Sequence, residues 1–237
     1  MVFKKRKGRK KKISATTPFL VQLFKDYIKD WKDYQGFVVC TPKKGLGYTR
    51  LLISSRTVGF FDRIWIVSGV LEYVNKESMG SFEAELYRKL KPLECNIVRR
   101  GFVRKNWSFA PSFYLEKIRS LIPEFEVSNR LVDRLNNNAE IMGLIKSVKP
   151  DKFSISLLSL PIEYQPFARD EDAAVKGMVE FYKSPESITW VVTLEGMFNR
   201  WIGIEKKGRE VMDLMRKVCK LVLDETEIIR KNLNTSS

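Results

Sequence analysis

Arg63-Ile64-Trp65-Ile66-Val67-Ser68-Gly69-Val70-Leu71-Glu72-Tyr73-Val74 is the stretch on which the fold class turns. β-Branched and aromatic side chains fill it, and such residues fit a pleated, half-buried surface. The next segment, 77–90, sets Phe82, Leu86 and Leu90 at four-residue steps and stops before Pro92, which predicts a helix laid on the sheet. A strand run followed by its covering helix reads as α+β.

Working upstream, Phe37 to Thr41 and Thr49 to Ser54 read as two short strands joined by the basic turn Lys43-Lys44-Gly45-Leu46-Gly47-Tyr48. Before them Leu20, Leu23, Phe24, Tyr27, Ile28, Trp31 and Tyr34 recur at three- and four-residue steps behind Thr17 and Pro18. That spacing predicts an amphipathic helix ending before Gly36.

Downstream, a helix is expected over 111–122. Ser128 caps a helical region through Leu131, Leu135, Ile141, Leu144, Ile145 and Val148, with Asn136-Asn137-Asn138 as its weak point. Phe153 to Leu160 alternates as a strand, and 177–182 and 187–194 flank the turn Lys183-Ser184-Pro185-Glu186 as a hairpin. Arg209 to Leu233 carries Val211, Leu214, Met215, Val218, Leu221, Val222, Ile228 and Ile229 along one side of a long terminal helix.

The expected architecture is one α+β domain over 17–237, with a mixed or antiparallel sheet covered by helices and a long C-terminal helix. Both 49–90 and 153–233 read as strands followed by a helix, so a division into two subdomains near 149–152 is the variant of that reading.

The first twelve residues carry Lys4, Lys5, Arg6, Lys7, Arg9, Lys10, Lys11 and Lys12 with no acid among them. Crowded like charges repel and bury no apolar surface, so residues 1–16 are expected to form a disordered basic arm. The whole 237-residue chain has 43 Lys and Arg against 28 Asp and Glu, a net charge of +15, and removing the arm's eight cations leaves the body at +7. A basic body behind a basic arm points to a polyanionic partner, foremost nucleic acid, DNA or RNA.

A second concentration of charge, Arg88, Lys89, Lys91, Arg99, Arg100, Arg104 and Lys105, has Phe102, Trp107 and Phe109 among or just beyond it. Cations hold phosphates and aromatic rings stack on exposed bases, so this surface suits nucleic acid with Phe102 or Trp107 as stacking platforms. The expected contact set is the eight arm cations, Lys43, Lys44, Arg99, Arg100, Phe102, Arg104, Lys105 and Trp107. A non-catalytic nucleic-acid-binding protein is the leading functional expectation. Its alternative is an assembly factor docking on an acidic partner, with homo-oligomerisation through the C-terminal helix.

Catalytic signals are sparse. Histidine, the commonest general base near neutral pH and a frequent metal ligand, is absent. Cys40, Cys95 and Cys219 are widely spaced and form no Cys-x-x-Cys pair, so they are expected to be reduced and buried, with no structural zinc. The glycines of the 43–50 turn lack the spacing of a Walker or dinucleotide loop. No metal or cofactor is therefore expected.

One short stretch, Pro150-Asp151 followed by Glu163-Tyr164-Gln165, resembles the Pro-Asp…Asp/Glu-x-Lys arrangement of a metal-dependent nuclease family. The resemblance implies Asp151 and Glu163 as magnesium ligands, with Gln165 standing where that family has its Lys and Pro161 interrupting the strand. A histidine-free nuclease is the third functional expectation. With no signal-peptide pattern and no uninterrupted apolar span, a cytoplasmic, reducing location is expected.

Overall fold

The computed structural model of the chain describes residues 24–33, 37–44, 50–58, 61–73, 81–100, 106–112, 130–158, 188–197 and 204–235. The basic arm, the helix expected over 111–122 beyond its first two residues, and the strand expected at 177–182 lie outside them.

Among the described residues Phe24 is helical and four strands follow: β1 (Ile28–Asp33), β2 (Phe37–Pro42), β3 (Arg50–Val58) and β4 (Phe61–Tyr73). Helix α1 (Ser81–Leu90) runs into a 3₁₀ turn (Lys91–Leu93), then β5 (Cys95–Arg100) and β6 (Asn106–Pro111). Helices α2 (Arg130–Asn136) and α3 (Ala139–Val148), strands β7 (Lys152–Leu158) and β8 (Ile188–Met197), and the long helix α4 (Ile204–Thr235) complete the order.

The strands form one eight-stranded sheet, β1-β2-β3-β4-β8-β7-β5-β6. Every pairing in it is antiparallel. β4, the stretch on which the sequence reading turned, lies at the centre between β3 and β8, where both of its edges find partners. The α+β reading with an antiparallel sheet and a long C-terminal helix matches this architecture.

One face of the sheet carries the helices. Val38, Cys40, Leu51, Ile53, Cys95, Phe109, Phe153, Ile155, Trp190, Val192 and Leu194 meet Leu86 and Leu90 of α1, Leu131 and Leu135 of α2, and Ile141 and Ile145 of α3 in one buried cluster. From α4, Val211, Met212, Leu214, Met215, Val218, Cys219 and Val222 enter the same cluster. Each such side chain contributes about 1.5–3 kcal/mol on leaving water. The apolar stripe of α4 thus packs within the chain, and Leu221, Ile229 and Leu233 border the same core half-buried.

Local chemistry accounts for the helix boundaries. The break at the three asparagines occurs as expected: the Asn138 side chain caps α3 by accepting from the Ile141 amide at 3.0 Å. α3 ends where Lys149 adopts φ 53°, in the left-handed region, and its amide bonds the Ile145 carbonyl before Pro150. At the end of α1, Arg88 and Lys89 sit where cations suit the helix dipole.

Two expectations needed correction. Of the helix expected from Leu20 to Tyr34, residues 20–23 and 34 lie outside the described residues and Phe24 is helical, but a turn at residues 25–27 and strand β1 follow, β1 running antiparallel to β2 with an irregularity between Ile28 and Asp30. Pairing with the apolar β2 satisfies a row of backbone groups at once, which outweighs a three- to four-residue periodicity in so short a stretch. The second concerns Pro111, expected to open a helix, which instead ends β6 opposite Cys95 in a hairpin with β5.

Candidate nucleic-acid interface

The two described groups of expected contact residues stand at different ends of the sheet. Lys43 and Lys44 are exposed just beyond β2, next to one end, whereas Arg99 is exposed on β5, next to the other. Five strand spacings separate β2 from β5, roughly 24 Å at the usual interval. The backbone of Arg100 ends β5, while Lys4, Lys5, Arg6, Lys7, Arg9, Lys10, Lys11, Lys12, Phe102, Arg104 and Lys105 lie outside the described residues.

Arg99 and Trp107 are direct cross-strand partners in the β5–β6 hairpin. The Arg99 guanidinium lies 5.3 Å from the centroid of the Trp107 ring, a cation–π contact. Trp107 is half-buried and packs against the core cluster, in line with Phe109 two residues further along. Its ring supports Arg99 and the core edge together.

Much of the remaining charge in 88–105 is paired. Glu85 receives Arg88 in a two-pronged arrangement, at 2.8 and 2.7 Å, with Lys89 at 4.0 Å. The Arg88 hydrogen bond holds the Glu85 carboxyl below the ordinary carboxylate range. Lys91 bonds Glu94 at 2.8 Å and lies 5.8 Å from the Tyr87 ring centroid. Glu94, almost buried, also accepts the Leu157 amide at 2.7 Å and so ties the 3₁₀ turn to β7. Lys91 thus supports the link between the turn and β7, while Arg88 and Lys89 pair locally on the exposed side of α1.

The end of the sheet beside Arg99 is closed by a side chain. Asn136, at the end of α2, accepts the Phe109 amide at 2.7 Å and donates to the Phe109 carbonyl at 3.0 Å. A carboxamide thereby makes the two bonds that a neighbouring strand residue makes. α2 is fixed in turn by Glu225, which is buried on α4, accepts from Arg134 and lies 3.5 Å from Arg130. One helical turn holds the neighbouring polar contact: the Trp190 indole donates to the Thr226 hydroxyl at 2.9 Å, and that hydroxyl donates to the Val222 carbonyl at 2.8 Å.

At the other end Lys29, Asp30, Trp31, Lys32 and Asp33 of β1 are all exposed. Trp31, 41% exposed, is the one exposed large apolar side chain among the described residues. Its cross-strand partner is the buried Cys40, so Trp31 rises on the helix-bearing face, and its amide donates to the Asp30 carboxylate at 2.8 Å. Nearby, burial first and Asp213 next raise the pKa of Tyr27, against the opposing influence of Arg209 and Arg216. The first part of α4 thus places Arg209, Asp213 and Arg216 within electrostatic range of Tyr27, just before β1. Sequence reading assigned Trp31 to the packed face of a helix, whereas it is exposed on β1.

The cysteines behave as expected. All three are free and buried, and burial pushes the Cys40 and Cys219 thiols up to about 12, with Asp30 adding to the shift at Cys40. Among the described residues no group of three or more acidic or cysteine side chains is placed to hold a metal ion. Asp151 is exposed with its amide bonded to the Glu195 carbonyl at 2.7 Å, and Glu163, its partner in the nuclease resemblance, lies outside the described residues. Among the described residues no helix is long and apolar enough to cross a membrane. Compared with known proteins, the chain matches no family model, no curated protein and no solved structure.

Proposed function

We propose that the protein binds nucleic acid without acting on it chemically. The observation that carries this reading is charge density: eight cations in the first twelve residues of a chain whose net charge is +15. Such an arm binds by displacing condensed counterions from a phosphate backbone, which requires no fixed arm conformation and reads no sequence. Arg99 on its Trp107 support, together with Lys43 and Lys44, adds phosphate contacts from the folded body. In this role Trp107 positions Arg99, and base stacking falls to other rings.

The test is fluorescence anisotropy of labelled single-stranded and duplex DNA and RNA over a salt series. The full chain is compared with a full-length variant whose eight arm cations are replaced by Gln. Each phosphate contact steepens the dependence of log affinity on log salt by about 0.9 for duplex DNA, so the neutralised arm should flatten the slope by several units. Absence of binding at near-physiological salt, or a slope indifferent to the arm, would overturn the proposal. An acidic protein partner then becomes the reading to pursue.

A further inference from the structure

We propose that the helix-bearing face at the β1 end of the sheet binds single-stranded nucleic acid, with the Trp31 indole stacked on a base and the cations around Tyr27 holding phosphates. Such a site rests on the nucleic-acid function proposed above and adds to it the form of the polymer and the place on the folded body that takes it.

Three elements meet at Tyr27. The turn at residues 25–27 carries it half-buried against the core cluster. The Lys43 amide, just beyond β2, donates to the Tyr27 carbonyl at 2.9 Å, which brings the exposed Lys43 and Lys44 beside it. From α4, Arg209 and Arg216 are exposed and act electrostatically on the Tyr27 hydroxyl. Seven residues separate these two arginines, about two helical turns and 10 Å along the axis. Asp26 and Asp213 are the acids that act on the same hydroxyl, and Asp213 lies 3.6 Å from Arg216. Lys206, Lys207, Arg216 and Lys217 of α4 each have an acidic neighbour within 4.0 Å, whereas among the described residues none stands that close to Arg209. Lys43, Lys44, Arg209 and Arg216 therefore outweigh the two acids, and the surroundings of Tyr27 are positive.

Trp31 lies on the same face, since its cross-strand partner Cys40 belongs to the core cluster beneath the helices. Lys29, Asp30, Lys32 and Asp33 flank it with no net charge, so this part of β1 offers the ring while the positive excess lies at Tyr27. At 41% exposure the indole keeps an aromatic surface in water. Every unpaired base has a flat face to lay on such a ring, whereas bases in a duplex are already stacked on one another, so the ring selects single strands. Four residues separate Trp31 from Tyr27, at most about 13 Å at the ordinary strand rise. Stacked nucleotides advance about 3.4 Å each along a strand, so roughly four of them cover the interval from ring to cations.

The test is fluorescence anisotropy on the full chain at near-physiological salt, with a labelled oligothymidylate of about fifteen nucleotides and a duplex of the same length. Trp31→Ala should weaken binding of the single strand about tenfold and leave the duplex unchanged, and Trp31→Phe, which keeps an aromatic face, should recover part of the loss. Arg209→Gln should lower the dependence of log affinity on log salt by about 0.7 on the single strand, the share of one phosphate contact. Both side chains are exposed, and unchanged circular dichroism shows that each variant folds. A parent chain that binds neither polymer would overturn this site together with the nucleic-acid function. A parent that binds, with Trp31→Ala and Arg209→Gln matching it, or with Trp31→Ala weakening both polymers equally, would overturn this site alone and leave the function to the arm.

Discussion

The two ends of this sheet solve one problem in opposite ways. At β6 the chain caps its own edge at one residue: the Asn136 carboxamide takes both backbone groups of Phe109, and α2, which carries it, is anchored through Arg134 to a buried glutamate. At β1 the strand presents alternating charges and one exposed tryptophan among the described residues. A strand edge capped by a side chain depends on the tertiary placement of a helix. One guarded by charge depends on a few adjacent residues.

The sharpest way to break the contrast is to remove an aromatic from each end. Phe109 packs edge-on against Phe153 with ring centroids 5.6 Å apart, and Phe109→Ala should cost about 3–5 kcal/mol in urea unfolding. Trp31→Ala, measured in dilute protein, should stay within about 0.5 kcal/mol of the parent. Equal losses at the two positions would mean that β1 is a core strand in all but exposure.

Next comes the anchor of the closed end. Arg134→Met leaves Glu225 buried with the more exposed Arg130 as its remaining cation, and should cost about 3 kcal/mol. Replacing Arg134 and Glu225 together by Leu should recover much of that loss, because no buried charge is left behind. The cap itself is smaller: Asn136→Ala deprives the Phe109 amide and carbonyl of their partner and should cost about 1–3 kcal/mol, read by chemical denaturation. Amide hydrogen exchange should then quicken at Phe109 and remain unchanged in β2.

The smallest effect concerns pH. The hydrogen bond from Lys217 holds the Glu140 carboxyl below its ordinary range, tying α3 to α4 at the surface. A depressed carboxyl contributes stability above its unfolded pKa, about 4.3, and loses it as pH falls through the lower folded value. Glu140→Gln should therefore differ slightly from the parent in thermal stability near neutral pH and converge with it in acid. Persistence of the difference in acid would assign it to packing.

Legibility in the sequence tracked the range of the forces involved. The three asparagines between α2 and α3 announced a break because capping acts within one helical turn. The β-branched density of β4 and β8 announced strands because it is a property of consecutive residues. The segment 28–33 misled because its apolar spacing suits a helix while β2, an external partner, made the strand the better state. The 95–111 hairpin went unread for a related reason: its Arg, Asn and Trp residues drew attention to charge and away from the pairing of Ile97 with Phe109.

The candidate site divided along the same line. The polybasic arm and the net charge are complete in the sequence, since electrostatic attraction to a polyanion needs only the number and density of charges. Which cations were already engaged was decided in three dimensions: Arg88 and Lys89 by Glu85, Lys91 by Glu94, Arg99 by the Trp107 ring.

By itself, then, the sequence determined the α+β class, the break at the three asparagines, the apolar stripe of α4 and the strongly basic character, all consequences of composition and spacing over a few residues. Tertiary structure alone decided that β1 is a strand at the end of the sheet, that Asn136 closes the opposite end and that Trp31 faces water. Those outcomes depend on which distant segments pair, and pairing energy between residues far apart in the chain leaves no local mark on either one.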